Sequence, residues 1–168
     1  MKVLYHWIIS FLIVLIPSES YSQKIIASFE DQNDLENIHF TEGVDIFRST
    51  DFPAVGAYSC NAVFPENGGT LYLHNLNITD WSREEAFLCF IWTNEAAEIV
   101  LVIEDSLSAI FSTKFVLKEG ANHIQLALSE VEMIDLRQIK SIDILTNRRD
   151  IFYLDYIALD QYQPVLAK

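Results

Sequence analysis

Positive charge is scarce in this sequence. Its 168 residues hold 11 Lys and Arg against 24 Asp and Glu, a formal net charge of -13 at pH 7. Nucleic-acid binding rests on cations that displace the counterions of phosphates, so a chain this acidic is excluded as a nucleic-acid partner. The same charge repels anionic lipid surfaces and strongly acidic polysaccharides. Neutral sugars, cationic surfaces and calcium stay open.

Catalytic motifs are also missing. There is no glycine-flanked serine nucleophile and no phosphate-cradling glycine loop. Of the four histidines, His6 falls in the leader described below. His39, His74 and His123 are dispersed, none at metal-ligand spacing from another His or a Cys. Carboxylate pairs such as Glu84-Glu85 and Glu104-Asp105 read as solvated faces. The expectation is a protein without catalytic residues.

Long hydrophobic runs are confined to one place. After Met1-Lys2, residues Trp7 to Ile16 are almost uniformly apolar. Pro17 ends the run, and Ser20-Tyr21-Ser22 puts small residues where a signal peptidase reads. This is the pattern of a secretory signal over residues 1–22, cut after Ser22 to leave Gln23 first. The run is shorter than the roughly 20 residues a membrane helix needs, and no later stretch is apolar enough. The reading is a secreted or periplasmic protein with no membrane insertion and one domain over residues 23–168. The leader holds one Lys and one Glu, so the acidic balance belongs to the mature domain.

Cysteine is limited to Cys60 and Cys89. Export permits a disulfide. Cys60 shares a strand face with Ala62 and Phe64. If Leu88, Phe90 and Trp92 face the core, Cys89 points the other way and two separate buried thiols result. The helical period is nearly absent. Ser82 followed by Glu85 could open a single turn as a capping box, and a short turn is expected near Asp135 to Gln138.

What is present is alternation of period two. Ile25, Ala27 and Phe29 share a face. Leu71 and Leu73 oppose Tyr72 and His74. Ile99, Leu101 and Ile103 oppose Val100, Val102 and Glu104. Phe111, Thr113, Phe115 and Leu117 alternate with Ser112, Lys114 and Val116. Ile124, Leu126 and Leu128 alternate with His123, Gln125 and Ala127. Ile142 and Ile144 precede a last strand over Ile151 to Leu159. Turn residues fall between the runs, at Pro65 to Gly69 and at Lys118 to Asn122, where Gly120 suits a tight hairpin. Many short strands with almost no helix predict an all-β, antiparallel β-sandwich.

The order of these pieces resembles the galactose-binding-like jelly rolls of carbohydrate-binding modules. The opening Phe29-Glu30-Asp31 is similar to that family's aromatic-acidic start. Ser59 to Phe64, then Asp80-Trp81-Ser82 with Ala86 to Asn94, resemble its next strands. Phe115 to Leu117, Gly120, Asn122 to Leu126, Ile134 to Leu136, Ile139 to Ile142 and Phe152 to Ile157 complete the likeness. The resemblance implies that the first and last strands pair. It also implies a structural calcium, Ca2+, held by Glu30 and Asp155 with help from Asp31 and carbonyls near Asp51.

Sugars need flat aromatic faces and polar side chains. Tyr72, His74, His123, Gln125 and Tyr153 alternate away from core positions, and together they would line a shallow groove if their strands are neighbours. Trp92, in phase with Phe90, is expected in the core, and Trp81 is expected to anchor its loop. The functional expectation is an exported, non-catalytic protein that binds a neutral carbohydrate. The alternatives are a structural adaptor using the same sheet for a protein partner and a jelly-roll enzyme acting on a glycan. The sequon Asn77-Ile78-Thr79 carries little weight beside a signal of bacterial type.

Overall fold

The computed structural model describes residues 23–160. The signal-peptide reading of residues 1–22, and residues 161–168 at the other end, lie outside that range. Two antiparallel sheets face each other. Sheet I contains β3 (Asp45–Ser49), β4 (Ser59–Phe64), β11 (Asp150–Asp160), β6 (Ala86–Thr93) and β9 (Gly120–Ala127) in that order, with β1 (Lys24–Ala27) also paired to β11. Sheet II runs β2 (Ile38–Phe40), β5 (Gly69–Leu73), β10 (Ile139–Thr146), β7 (Ala97–Asp105) and β8 (Ile110–Leu117). From β4 onward the chain changes sheets at every connection except the β7–β8 hairpin. This is the jelly-roll sandwich expected from the alternation, and β1 lies antiparallel to the last strand.

Period-two patterning drives the packing. In β7, Ala97, Ile99, Leu101 and Ile103 are buried, while Glu98, Val100, Val102 and Glu104 face outward. The core between the sheets includes Phe29, Phe64, Phe87, Phe152, Ile91, Ile142 and Leu154. Aromatic and branched side chains of this size dominate such a core because each removes a large apolar area from water.

Several expectations need correction. β1 carries a bulge between Ile25 and Ala27, so Ile25 is left at the surface while Ile26 and Ala27 are buried. The α-helix among the described residues is Asn33–Glu36, a segment in which the sequence shows no helical period. Ser82 and Glu85 form no capped helix. Instead the Ser82 amide and hydroxyl both donate to Asp80 Oδ1, an Asx turn. The expected turn at Asp135 to Gln138 is present, closed by the Gln138 amide on the Asp135 carbonyl.

β6 is turned over relative to expectation. Phe87, Cys89 and Ile91 face the core, and Leu88, Phe90 and Trp92 face outward, as their pairing with Gln125, His123 and Ala121 shows. Both thiols therefore point inward, and both are free. They sit on β4 and β6, with β11 between them. Two strand spacings are about 9.6 Å, beyond the reach of a disulfide. Burial pushes each thiol pKa up to about 12. We expect neither cysteine to react with a thiol reagent such as DTNB in the native protein, and both to react once it is unfolded. One fast-reacting thiol in the native state would contradict the burial.

Candidate functional site

The outer face of sheet I carries an aromatic platform. One register row crosses the sheet as Phe47 on β3, Asn61 on β4, Tyr153 on β11 and Trp92 on β6. Strand alternation places all four on the same face. Phe52, from the loop that joins β3 to β4, lies parallel on Trp92 with ring centroids 3.6 Å apart and 6° between planes. Tyr153 meets both edge-on, at 5.0 Å from Phe52 and 5.6 Å from Trp92. Phe47 and Phe52 remain 49% and 43% exposed, an unusual amount for phenyl rings that could have been buried. Asn61 sits beneath this surface, and its Oδ1 is buried without a hydrogen-bond partner. A buried acceptor left unpaired costs about 1–3 kcal/mol, and a donor arriving from outside removes that penalty.

The next row extends the face. Asp155, Phe90 and His123 are register partners, with the His123 ring edge-on to Phe90 at 5.1 Å. Gln125 is exposed one step further along β9. His123, Gln125 and Tyr153 thus share the outer face of sheet I, as the sequence suggested. Tyr72 and His74 do not join them. β5 belongs to sheet II, so these two residues lie on the opposite side of the sandwich. The groove expected from all five is divided between two faces. Alternation had hidden Phe47, Phe52, Asn61 and Trp92. For Phe52 the available signal is a phenylalanine between Asp51 and Pro53, outside any alternating run.

The loop carrying Phe52 is fixed by two carboxylates. Asp155 Oδ2 accepts from the amides of Ala54 and Val55 at 2.8 and 2.9 Å, and its Oδ1 accepts from Tyr156 at 2.7 Å. Glu30 Oε1 accepts from Ala57 and Tyr58 at 2.8 and 2.9 Å. Gly56 has a φ of +76°, and a Cβ there would fall 2.4 Å from Glu30 Oε1, so glycine is required. Phe52 itself has a φ of +49°, a conformation that a bulky L-residue holds only when its surroundings impose it. Burial raises the Asp155 pKa above the usual range despite its three amide donors, and the nearby Glu30 charge adds to the rise.

This geometry bears on the calcium expectation. Calcium takes six to eight oxygen ligands. Here the loop turns N–H groups, not carbonyls, toward Glu30 and Asp155. The Arg48 guanidinium donates to the carbonyls of Phe29 and Glu30 and lies over the Tyr58 ring at 3.4 Å. Asp31 turns back on itself to accept from Asn33 N. Among the described residues no group of three or more His, Cys, Asp or Glu side chains is placed to hold a metal ion. The donor set fits a loop anchor and does not fit a calcium shell.

A cavity of about 630 Å³ opens at the end of β1, lined by Ser28, Glu30, Asp31, Asp34, Arg48 and Asn77 among others. Its lining has no aromatic ring and mixes apolar, polar and acidic side chains. It lacks the stacking surface found on sheet I.

No protein-family model matches the sequence, and no curated protein is similar to it in sequence. Solved structures do share its fold. A family 11 carbohydrate-binding module from Clostridium thermocellum, in complex with a β-1,3-1,4-mixed-linked tetrasaccharide, superposes with a TM-score of 0.66 at 16% identity over 83% of this chain and 95% of that one. A family 30 module of a C. thermocellum cellulosomal cellulase gives a TM-score of 0.61 at 13% identity over 85% and 95%. An exo-β-agarase gives 0.66 at 17% identity, over 84% of this chain but only 25% of the agarase. The fold is that of the carbohydrate-binding-module β-sandwiches. No helix among the described residues is long and apolar enough to cross a membrane.

Proposed function

We propose that this is an exported, non-catalytic protein that binds a neutral carbohydrate on the outer face of sheet I. The observation that carries the reading is the row Phe47, Asn61, Tyr153 and Trp92 with Phe52 stacked on it. Pyranose rings present apolar C–H faces and a rim of hydroxyls. Exposed phenyl faces of Phe47 and Phe52 accept the former. Trp92 supports Phe52 from behind, and Tyr153 wedges both in place. His123 and Gln125 supply exposed polar groups at the β9 end. The formal net charge of -13 disfavours uronic-acid polymers and leaves neutral glycans.

The likeness to chains that are carbohydrate-binding modules over 95% of their solved length supports a binding role over a catalytic one. The shared part of the agarase is about a quarter of that enzyme, so it does not carry agarose hydrolysis over to this chain. These neighbours supply the probes: a mixed-linkage β-1,3-1,4 tetrasaccharide and agarose oligosaccharides.

In calorimetric titration, Trp92→Ala and Tyr153→Ala should each weaken binding of the preferred probe at least tenfold, about 1.4 kcal/mol. Phe52→Ala should cost threefold or less, because it uncovers the face of Trp92. Circular dichroism should show all three variants folded. Unchanged affinity in Trp92→Ala would remove the platform as the site. Failure of every neutral glycan on an array to bind the wild type would remove the function.

A further inference from the structure

Sheet II ends on an open edge. β8 pairs with β7 and with no other strand among the described residues. At the turn between them the Asp105 amide donates to the Ala109 carbonyl at 3.0 Å. Hydrogen-bonded pairs alternate along an antiparallel ladder, so that bond fixes its phase. Phe111, Thr113 and Phe115 direct their backbone groups to β7. Ile110, Ser112, Lys114 and Val116 turn their N–H and C=O groups to the free edge. Their side chains also point away from the core, with Ile110 60% and Val116 79% exposed. An edge with free backbone groups and bare aliphatic side chains is a template for another strand.

The strand's own sequence fits that template. Ile110 to Val116 is nearly symmetric about Thr113. In an antiparallel pairing of two copies centred there, Ile110 meets Val116, Phe111 meets Phe115, and Ser112 meets Lys114. Phe111 and Phe115, half-buried against the core, then cover each other's remaining surface. Ile110, Ser112, Lys114 and Val116 face one another with their free backbone groups, so the ladder closes without a bulge. Other registers fit worse. Centring on Lys114 sets two lysines against each other, and centring on Ser112 sets Ile110 against Lys114. Charge agrees with the centred register. A lone lysine often guards an edge strand, but Lys114 is already matched by Glu98 of β7 at 2.8 Å. It is the one charged residue of β8. This edge is thus locally neutral on a protein whose formal net charge is -13, and two copies meet here with little repulsion.

We propose that β8 pairs antiparallel with β8 of a second copy of this chain, about a two-fold axis at Thr113, joining the two copies of sheet II into one continuous sheet. A two-fold interface brings the same surface of each copy together, which is what a self-complementary strand suits. The outer face of sheet I takes no part. An axis normal to sheet II leaves both copies of that face on the same side. On the reading of sheet I as a glycan-binding face, the pair presents two platforms to one polymer, and avidity raises its hold. The pairing itself needs no glycan and stands apart from that reading.

Sedimentation velocity over a range of protein concentrations, with no glycan present, should show a monomer–dimer equilibrium and no larger species. Val116→Lys should weaken the dimer by roughly tenfold or more, because it buries an unpaired charge against Ile110 at both ends of the interface. Ile110→Asp should do the same against Val116. Mixing the two variants should restore a dimer with one copy of each, since the new acid and the new base face each other in the centred register. Both positions are exposed in the single chain, so circular dichroism should show both variants folded. If either fails to fold, Ser112→Arg, which confronts Lys114 with a second cation, reads the same loss. A wild type that stays monomeric throughout overturns the pairing. A dimer that survives both single substitutions, or variants that do not recombine on mixing, overturns it as well, because the copies then do not meet through β8 in this register.

Discussion

Trp81→Ala is expected to lower stability by about 3–5 kcal/mol, the usual cost of truncating a buried tryptophan. Trp81 is 0% exposed. It lies in the connection between β5 and β6, which carries the chain from sheet II to sheet I. Its indole N–H donates to the Ile78 carbonyl at 2.9 Å, and its ring stacks on Phe87 of β6 at 5.8 Å. Its backbone amide donates to Leu136 at 2.7 Å, tying this connection to the one before β10. Alanine leaves a cavity the size of an indole and frees the crossing from the core at once. Trp81→Phe keeps a ring and gives up the indole hydrogen bond, so it should cost roughly a third as much. Urea unfolding at constant m measures both. A loss under 1 kcal/mol in Trp81→Ala would show that the connection is held by its backbone contacts and not by the ring.

The role of Trp81 was legible because Asp80-Trp81-Ser82 interrupts the alternation with turn chemistry. Trp92 was not, and the reason lies in β6 itself. Ala86 to Thr93 is apolar in both phases: Phe87, Cys89 and Ile91 on one, Leu88, Phe90 and Trp92 on the other. Period-two reading identifies a face only when the opposite face is polar. Here the outer face is apolar because a loop and a neighbouring ring cover it, with Phe52 on Trp92 and His123 on Phe90. A covered outer face is indistinguishable in sequence from a core.

The division of the expected groove has a different cause. Alternation states correctly that Tyr72 and His74 leave the core on β5, and that His123 and Gln125 leave it on β9. It does not state which sheet a strand joins. In a jelly roll consecutive strands repeatedly change sheets, so segments read alike in sequence present opposite sides of the molecule. Pairing of the first strand with the last was legible through the family resemblance, and β1 does lie antiparallel to β11. What Glu30 and Asp155 do was not legible. Whether a loop offers N–H or C=O depends on its φ and ψ values, here set by Phe52 and Gly56 in left-handed conformations.

Asp155→Ala should therefore act on the loop, and through it on the platform. Removing the carboxylate strips acceptors from Ala54, Val55 and Tyr156. Each unpaired amide costs about 1–3 kcal/mol when buried, but Ala54 and Val55 are exposed enough for water to replace part of the loss. The expected destabilisation is about 2–3 kcal/mol. With the loop released, Phe52 leaves Trp92, so tryptophan fluorescence and near-UV dichroism should change in the folded mutant. Asp155→Asn keeps a neutral acceptor and fixes the sign of the pH effect. Burial raises the wild-type carboxyl above its unfolded value, so the folded state binds the proton more tightly. The stability of wild type relative to Asp155→Asn should then fall as pH rises from about 4 through the raised pKa, and level off above it. A relative stability that instead rises with pH below about 4 and stays flat above it would mean the amide donors outweigh burial. Because those amides already occupy the carboxylate oxygens a cation would need, melting temperatures in calcium and in chelator should agree. A higher melting temperature in calcium that vanishes in Asp155→Ala would instead place a cation between Glu30 and Asp155, and the loop would have to turn its carbonyls inward to hold it.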